Sequence, residues 1–236
     1  MKTWLIHAGV AAAIAVSVWA GSPAALASAG TVTQLSGTLS AKKADGSVRI
    51  LSQKSDVQNG ETLSTEHDSY AQVRFEDGTQ VTMKPNTSLR IANVMFIVDR
   101  PKEDSFIVEL LRGGMRAVTG LVGKRNEEKV EVNTSTSTIG IRGTTFSVDD
   151  CVSTACANLE RGVYVGVADG RIVVRNAEGT GFYNAGQFGL IKPGNPPIML
   201  PMDPGLRLTP PTTFRANLAG KSGVQGGKNL ECVVRP

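Results

Sequence analysis

The sequence predicts an all-β fold, a solenoid-like stack of short strands and hairpins followed by a Pro-rich extended tail. Three observations predict it. Ala71, Val73 and Phe75 alternate with Gln72, Arg74 and Glu76, and after Asp77-Gly78 the chain resumes the alternation at Val81 and Met83. Two such runs around Asp-Gly are a hairpin signal. The stretch Val130 to Val148, VEVNTSTSTIGIRGTTFSV, is dense in the β-branched residues that fit a pleated, half-buried surface. Finally, Ser36-Gly37, Gly113-Gly114 and Asp169-Gly170 each put glycine before a strand start, an irregular echo that suits strands stacked in layers.

Within Val130–Val148, Gly140 and Gly143 bracket Ile141-Arg142. Glycine inside a strand pattern marks a bulge, a bend or a close backbone approach. The segment therefore reads as strand, corner, strand. Arg142 stands at the corner, where its guanidinium either satisfies local carbonyls or meets a partner.

Elsewhere the chain alternates short apolar runs with turn residues. Asp45-Gly46 and Asn59-Gly60 are turns, and Leu89 and Ile91 begin another strand. Asp99 to Ser105 is a charged loop. Phe106 to Leu111 is nearly continuous apolar sequence, as in a strand buried on both faces. Lys124 to Lys129, KRNEEK, reads as a solvated charge cluster. Asp169-Gly170 predicts a second hairpin turn, with Arg171 to Arg175 as the returning strand. From Lys192 the composition shifts, and eight of the eleven prolines lie beyond it. Proline fixes φ and removes a donor, so residues 192–236 read as an extended tail, with Ile198, Met199 and Leu200 available to lie along the body.

Residues 1–27 have the pattern of a secretory signal peptide. Lys2 precedes an apolar run from Ala8 to Ala20, and small residues offer cleavage after Ala27 or Ala29. The run falls short of the roughly 20 residues that span a bilayer. No membrane span is expected after cleavage, and the expected location is the periplasm or the exterior. The body domain is residues 28–191. Cleavage lowers the formal charge from +4 only to +3. So mild and mixed a charge does not suggest nucleic acid.

Export implies an oxidising environment for Cys151, Cys156 and Cys232. Cys151 and Cys156 flank a short loop and are the candidate disulfide. Cys232 is then free, paired with another chain, or a competitor for one of the two. His67 stands alone beside Asp68 and reads as an exposed turn residue. No catalytic relay or metal-ligand spacing is present, and Asp149-Asp150 lacks the ligand count of a dedicated calcium loop. The expectation is no enzyme, no cofactor and no metal. A hydrolase with dispersed acids is the reading that only the fold can address.

Four segments resemble the successive motifs of the FecR domain: Gly60 to Thr65, Ala71 to Thr79, Leu110 to Arg116, and Thr138 to Val148. The stretch Val163 to Ile191 is similar to the family's usual continuation. The resemblance implies an extracytoplasmic, β-rich, solenoid-like domain of a bacterial envelope, without catalytic residues. Family members of the regulator type also carry a cytoplasmic region that controls a sigma factor. Here a signal peptide stands in that place, so sigma-factor control is not implied. The expected function is a periplasmic module that binds an envelope protein, in signal sensing or transduction. A cell-wall or polysaccharide-binding module is the alternative, and Trp4 and Trp19 both lie in the leader, leaving few aromatic platforms for sugars.

Overall fold

The computed structural model describes residues 28–152, Cys156 and residues 159–205. Residues 1–27, on which the signal-peptide expectation falls, Cys232 and the tail beyond Gly205 lie outside the described residues. Fifteen strands follow in order: β1 (Ser28–Ser36), β2 (Leu39–Lys42), β3 (Val48–Leu51), β4 (Asp56–Gln58), β5 (Thr62–Thr65), β6 (Tyr70–Phe75), β7 (Gln80–Met83), β8 (Ser88–Met95), β9 (Ser105–Val118), β10 (Val130–Asn133), β11 (Thr138–Asp150), β12 (Val163–Asn176), β13 (Gly179–Asn184), β14 (Phe188–Ile191) and β15 (Ile198–Leu200). The all-β class holds. One short helix, α1 (Val122–Arg125), and two single 3-10 turns interrupt it.

The strands form one mixed sheet with two limbs. The first limb runs β4-β1-β6-β7, then the C-terminal half of β9, the C-terminal half of β11, the N-terminal half of β12, and β14-β15. The second runs β3-β2-β5-β8, then the N-terminal half of β9, β10, the N-terminal half of β11, the C-terminal half of β12, and β13. Among the described residues, only β9 and β10 pair in parallel. Residues of both limbs share one core, as alternation requires when each limb hides a single face. Phe75 of the first limb meets Phe106 of the second edge-on, with centroids 5.0 Å apart.

Three strands pass from limb to limb, and each bends at a glycine with positive φ: Gly113 in β9, Gly143 in β11 and Gly170 in β12. This corrects two expectations. Asp169-Gly170 is not a hairpin turn, and no new strand starts after Gly113-Gly114, which lies inside β9. Residues on both sides of Gly170 pair with β11 in one continuous antiparallel sense, so the chain bends without reversing. The bends also nest, since a Cβ on Gly170 would lie 2.6 Å from Gly143 O. Gly46 has nearly the same φ, +86°, but open space around it. Gly170→Ala is therefore expected to cost clearly more than the roughly 1 kcal/mol that φ alone costs at Gly46→Ala. Urea unfolding of the two variants checks this.

Asp77-Gly78 does join β6 to β7, but not as the two-residue turn that requires positive φ at both centres. Only Gly78 has it; its N–H donates to Phe75 O, and Phe75 N–H donates to Thr79 O. The buried Asp77 carboxylate accepts from Thr79 N, Thr79 Oγ1 and Val122 N, which ties the hairpin to α1. Phe106 to Leu111 is also corrected. Phe106, Val108 and Leu110 face the core, while Leu111 is exposed, so the strand is covered on one face only.

Side chains close both open flanks between the limbs. At the β3–β4 flank, Arg49 donates to Glu61 and to Asp56 O. At the other flank, Tyr183 donates to Ile198 O, and Pro197 packs over Gly181. The chain thus stays on the sheet through β15, which pairs with β14. Burial pushes the Tyr183 hydroxyl up from 10.0 to about 12. The folded state then holds a proton that the unfolded chain loses, so stability falls as pH rises from 10 towards 12. Tyr183→Phe is expected to remove that alkaline slope in thermal melts.

Candidate interaction face

The segment with the strongest sequence signal lies on the outer face of the second limb. In β11, Ile139 and Ile141 enter the core, so Gly140 and Arg142 face out. Glu131, Gly140, Val173 and Phe182 are in register across β10, β11, β12 and β13. Gly140 keeps this row low in the middle, because a Cβ there would sit 2.9 Å from Val173 Cγ1. The result is a groove of about 290 Å³ with Glu127, Glu128 and Glu131 on one side and Arg142 and Arg175 on the other.

The corner is a bulge inside a continuous strand. Register shifts between Arg142 and Thr145, and Gly143 takes φ +55°. Gly140 needs no positive φ; its role is the close approach of Val173. Arg142 does not cap the corner's carbonyls. Its Nε lies 3.6 Å from Glu127 Oε2, and the side chain is 63% exposed. The KRNEEK segment is likewise not uniformly solvated. Glu127 and Glu128 wall the groove, whereas Arg125 turns inward to Asp104.

The outer face of the first limb is built differently. Cys151 and Cys156 form the disulfide. Together with Tyr164, Leu190, Leu159, Phe188 and Leu200 they make a small apolar cluster outside the main core. Tyr164 donates to Glu160 O, Arg161 donates to Val152 O, and Glu160 pairs with Lys192. So small a ring contributes about 2 kcal/mol by loop entropy. Reduction is expected to lower the melting temperature modestly while leaving the β-sheet circular dichroism intact.

Asp149 and Asp150 are strand neighbours and point apart. Asp149 accepts two hydrogen bonds from Lys84, at 2.7 and 2.9 Å, and Asp150 accepts from Ser135 Oγ and Val152 N. Both carboxylates serve the fold. Among the described residues, no three His, Cys, Asp or Glu side chains gather as a metal site. His67 is exposed beside Asp68 at a turn. Lys84, Arg125, Arg171, Arg175 and Phe182 emerge only with the fold. Period-2 placement of Arg171, Val173 and Arg175 was the one signal for the last group.

Two solved structures of a candidate anti-sigma factor from Parabacteroides distasonis ATCC 8503 are similar at 20% identity, with TM-scores of 0.46 and 0.45. Each alignment covers 60% of this chain, and the chain spans 60% of their length. A cell surface anchoring domain is similar at 26% identity over 26% of this chain and 82% of its own, with a TM-score of 0.26. No curated protein matches. The family model described as FecR protein matches residues 61–173, which hold the β6–β7 hairpin, the bent β9 and the whole Gly140–Gly143 segment. Over residues 61–173 the chain thus matches the FecR family model, and this region takes in most of the segments that resemble the family in sequence.

Proposed function

We propose that the chain is an exported, non-catalytic FecR-type module of the bacterial envelope that binds a protein partner in signal sensing or transduction. The observation that carries this reading is the Gly140–Arg142 segment. Within the family region this motif anchors Ile139 and Ile141 in the core, while Gly140 and Arg142 line an outward, charged groove. We read the doubled sheet as solenoid-like, with successive hairpins adding rungs to both limbs. The test is photo-cross-linking in intact cells, with a photoreactive residue at Arg142 and at other outer-face positions. Discrete protein adducts support the reading, and their absence at every position rejects it. A fusion of residues 1–27 to a reporter active only after export tests the location.

One observation favours a second reading, in which the face binds glycan. Ser40, Ser64, Ser88 and Arg112 are in register across β2, β5, β8 and β9. Ser64 Oγ and Ser88 Oγ are 2.9 Å apart, and Arg112 Nε donates to Ser88 Oγ. Such a polar row matches sugar hydroxyls. Co-sedimentation with peptidoglycan supports it, and failure to sediment removes it.

A further inference from the structure

We propose that the outer face of β12 and β13 is a docking strip for an extended, acidic strand of a partner protein, with the alternating pattern acid–x–apolar–x–acid. The inference rests on the protein-binding reading and adds where the partner sits and what chemistry it presents.

Charge comes first. Arg142 and Arg171 are directly opposed on adjacent strands. Like charges in that position are unfavourable. Arg175 lies two residues beyond Val173 on the same face, and among the described residues it has no ion-pair partner. Among the described residues, Arg171 is held by a neutral group, Asn184 Oδ1, at 2.8 Å. Arg142 has Glu127 at 3.6 Å, so the uncompensated charge on this outer face lies with Arg171 and Arg175, for which no acidic partner is found among the described residues.

Shape comes second. Phe182 is 61% exposed and stands opposite Val173, between the rows of Arg171 and Arg175. Strand rise puts positions 171 and 175 about 13 Å apart. A partner in extended conformation repeats the same distance between its own residues i and i+4. Its two carboxylates then reach Arg171 and Arg175, where bidentate pairing is available, while residue i+2 covers Val173 and Phe182.

The groove supplies the boundary. Glu127, Glu128 and Glu131 stand beyond Gly140, on the β10 side. They repel an acidic strand from that side and confine it over β12 and β13. An acid fence beside a basic strip sets position as well as attraction.

The test uses the mature chain and a short disulfide-closed hairpin peptide, fluorescein-labelled, with Glu-Thr-Leu-Thr-Glu on one strand. Anisotropy is expected to show binding that weakens with salt. Arg171→Glu with Arg175→Glu should weaken it by about tenfold or more and create binding to the Lys-Thr-Leu-Thr-Lys hairpin. Phe182→Ser should weaken binding with the melting temperature unchanged. Three results overturn the proposal: no charge inversion, equal binding of a hairpin with the acids scrambled, or preferential binding of polygalacturonate, an anionic glycan. Cellular adducts that persist unchanged in the double variant sink this strip and leave the partner-binding reading standing. Absence of adducts anywhere removes that reading instead.

Discussion

Replacing Arg125 by alanine is expected to lower the unfolding free energy by about 3–5 kcal/mol, the range for stripping one partner from a buried ion pair. Asp104 is fully buried, and its Oδ2 has no hydrogen bond among the described residues. The compensation for that oxygen is the Arg125 guanidinium, with Nε at 3.3 Å. The same guanidinium donates to Ile97 O and Val98 O and lies 5.0 Å from the Phe96 ring centroid. Truncation therefore leaves a buried charge, unpins the loop after β8 and uncovers an aromatic ring in one step. At about 2–4 °C per kcal/mol for a chain of this size, the melting temperature should fall by roughly 10 °C. Asp104→Asn in the Arg125→Ala background should recover part of the loss, because it removes the orphaned charge. If Arg125→Ala melts within a degree or two of the parent, Asp104 is compensated in some other way.

Lys84→Met should cost about 3 kcal/mol or more at neutral pH, and less in mild acid. Lys84 and Asp149 are both largely buried, and Gly114 makes room for them: a Cβ there would lie 2.1 Å from Asp149 Oδ1. Burial pushes the Asp149 carboxyl up from its ordinary 3.8, and Lys84 opposes that rise. Because the folded-state value is raised, the native chain binds the proton more tightly than the unfolded one. Asp149 therefore makes stability decline as pH rises through the window above 3.8, and level off beyond the folded value. Without Lys84 the opposition is gone, the window extends upward, and the decline continues closer to neutrality. Melting temperatures between pH 4 and pH 8 read this directly. Asp149→Asn should flatten the profile in both backgrounds. A Lys84→Met profile parallel to the parent's would show that the cation does not govern this carboxyl.

Both pairs were invisible in the sequence for a common reason. Lys84 and Asp149 stand 65 residues apart, and each reads locally as an ordinary strand-end charge. Arg125 sits in a run of charges whose local pattern is that of solvent-exposed chain. Whether a charge is buried depends on what later folds over it, and composition holds no record of that. The disulfide partners, by contrast, are five residues apart, close enough for spacing alone to suggest the bridge.

The amino-acid sequence by itself determined the strand content, the family region and much of the core. Alternation assigned Ala71, Val73, Phe75, Val81 and Met83 inward because side-chain direction along a strand is a local property of the backbone. It also located the glycines at which the chain departs from regular pleating. Only the tertiary structure decided what those glycines do. A positive φ is compatible with a reversal, as at Gly78, or with a bend that carries one strand between two limbs, as at Gly113 and Gly170. The choice lies in which distant strand supplies the ladder on either side of the glycine. The same non-local pairing brought Arg142 opposite Arg171 and set Phe182 against Val173, and so placed the charged strip on the surface.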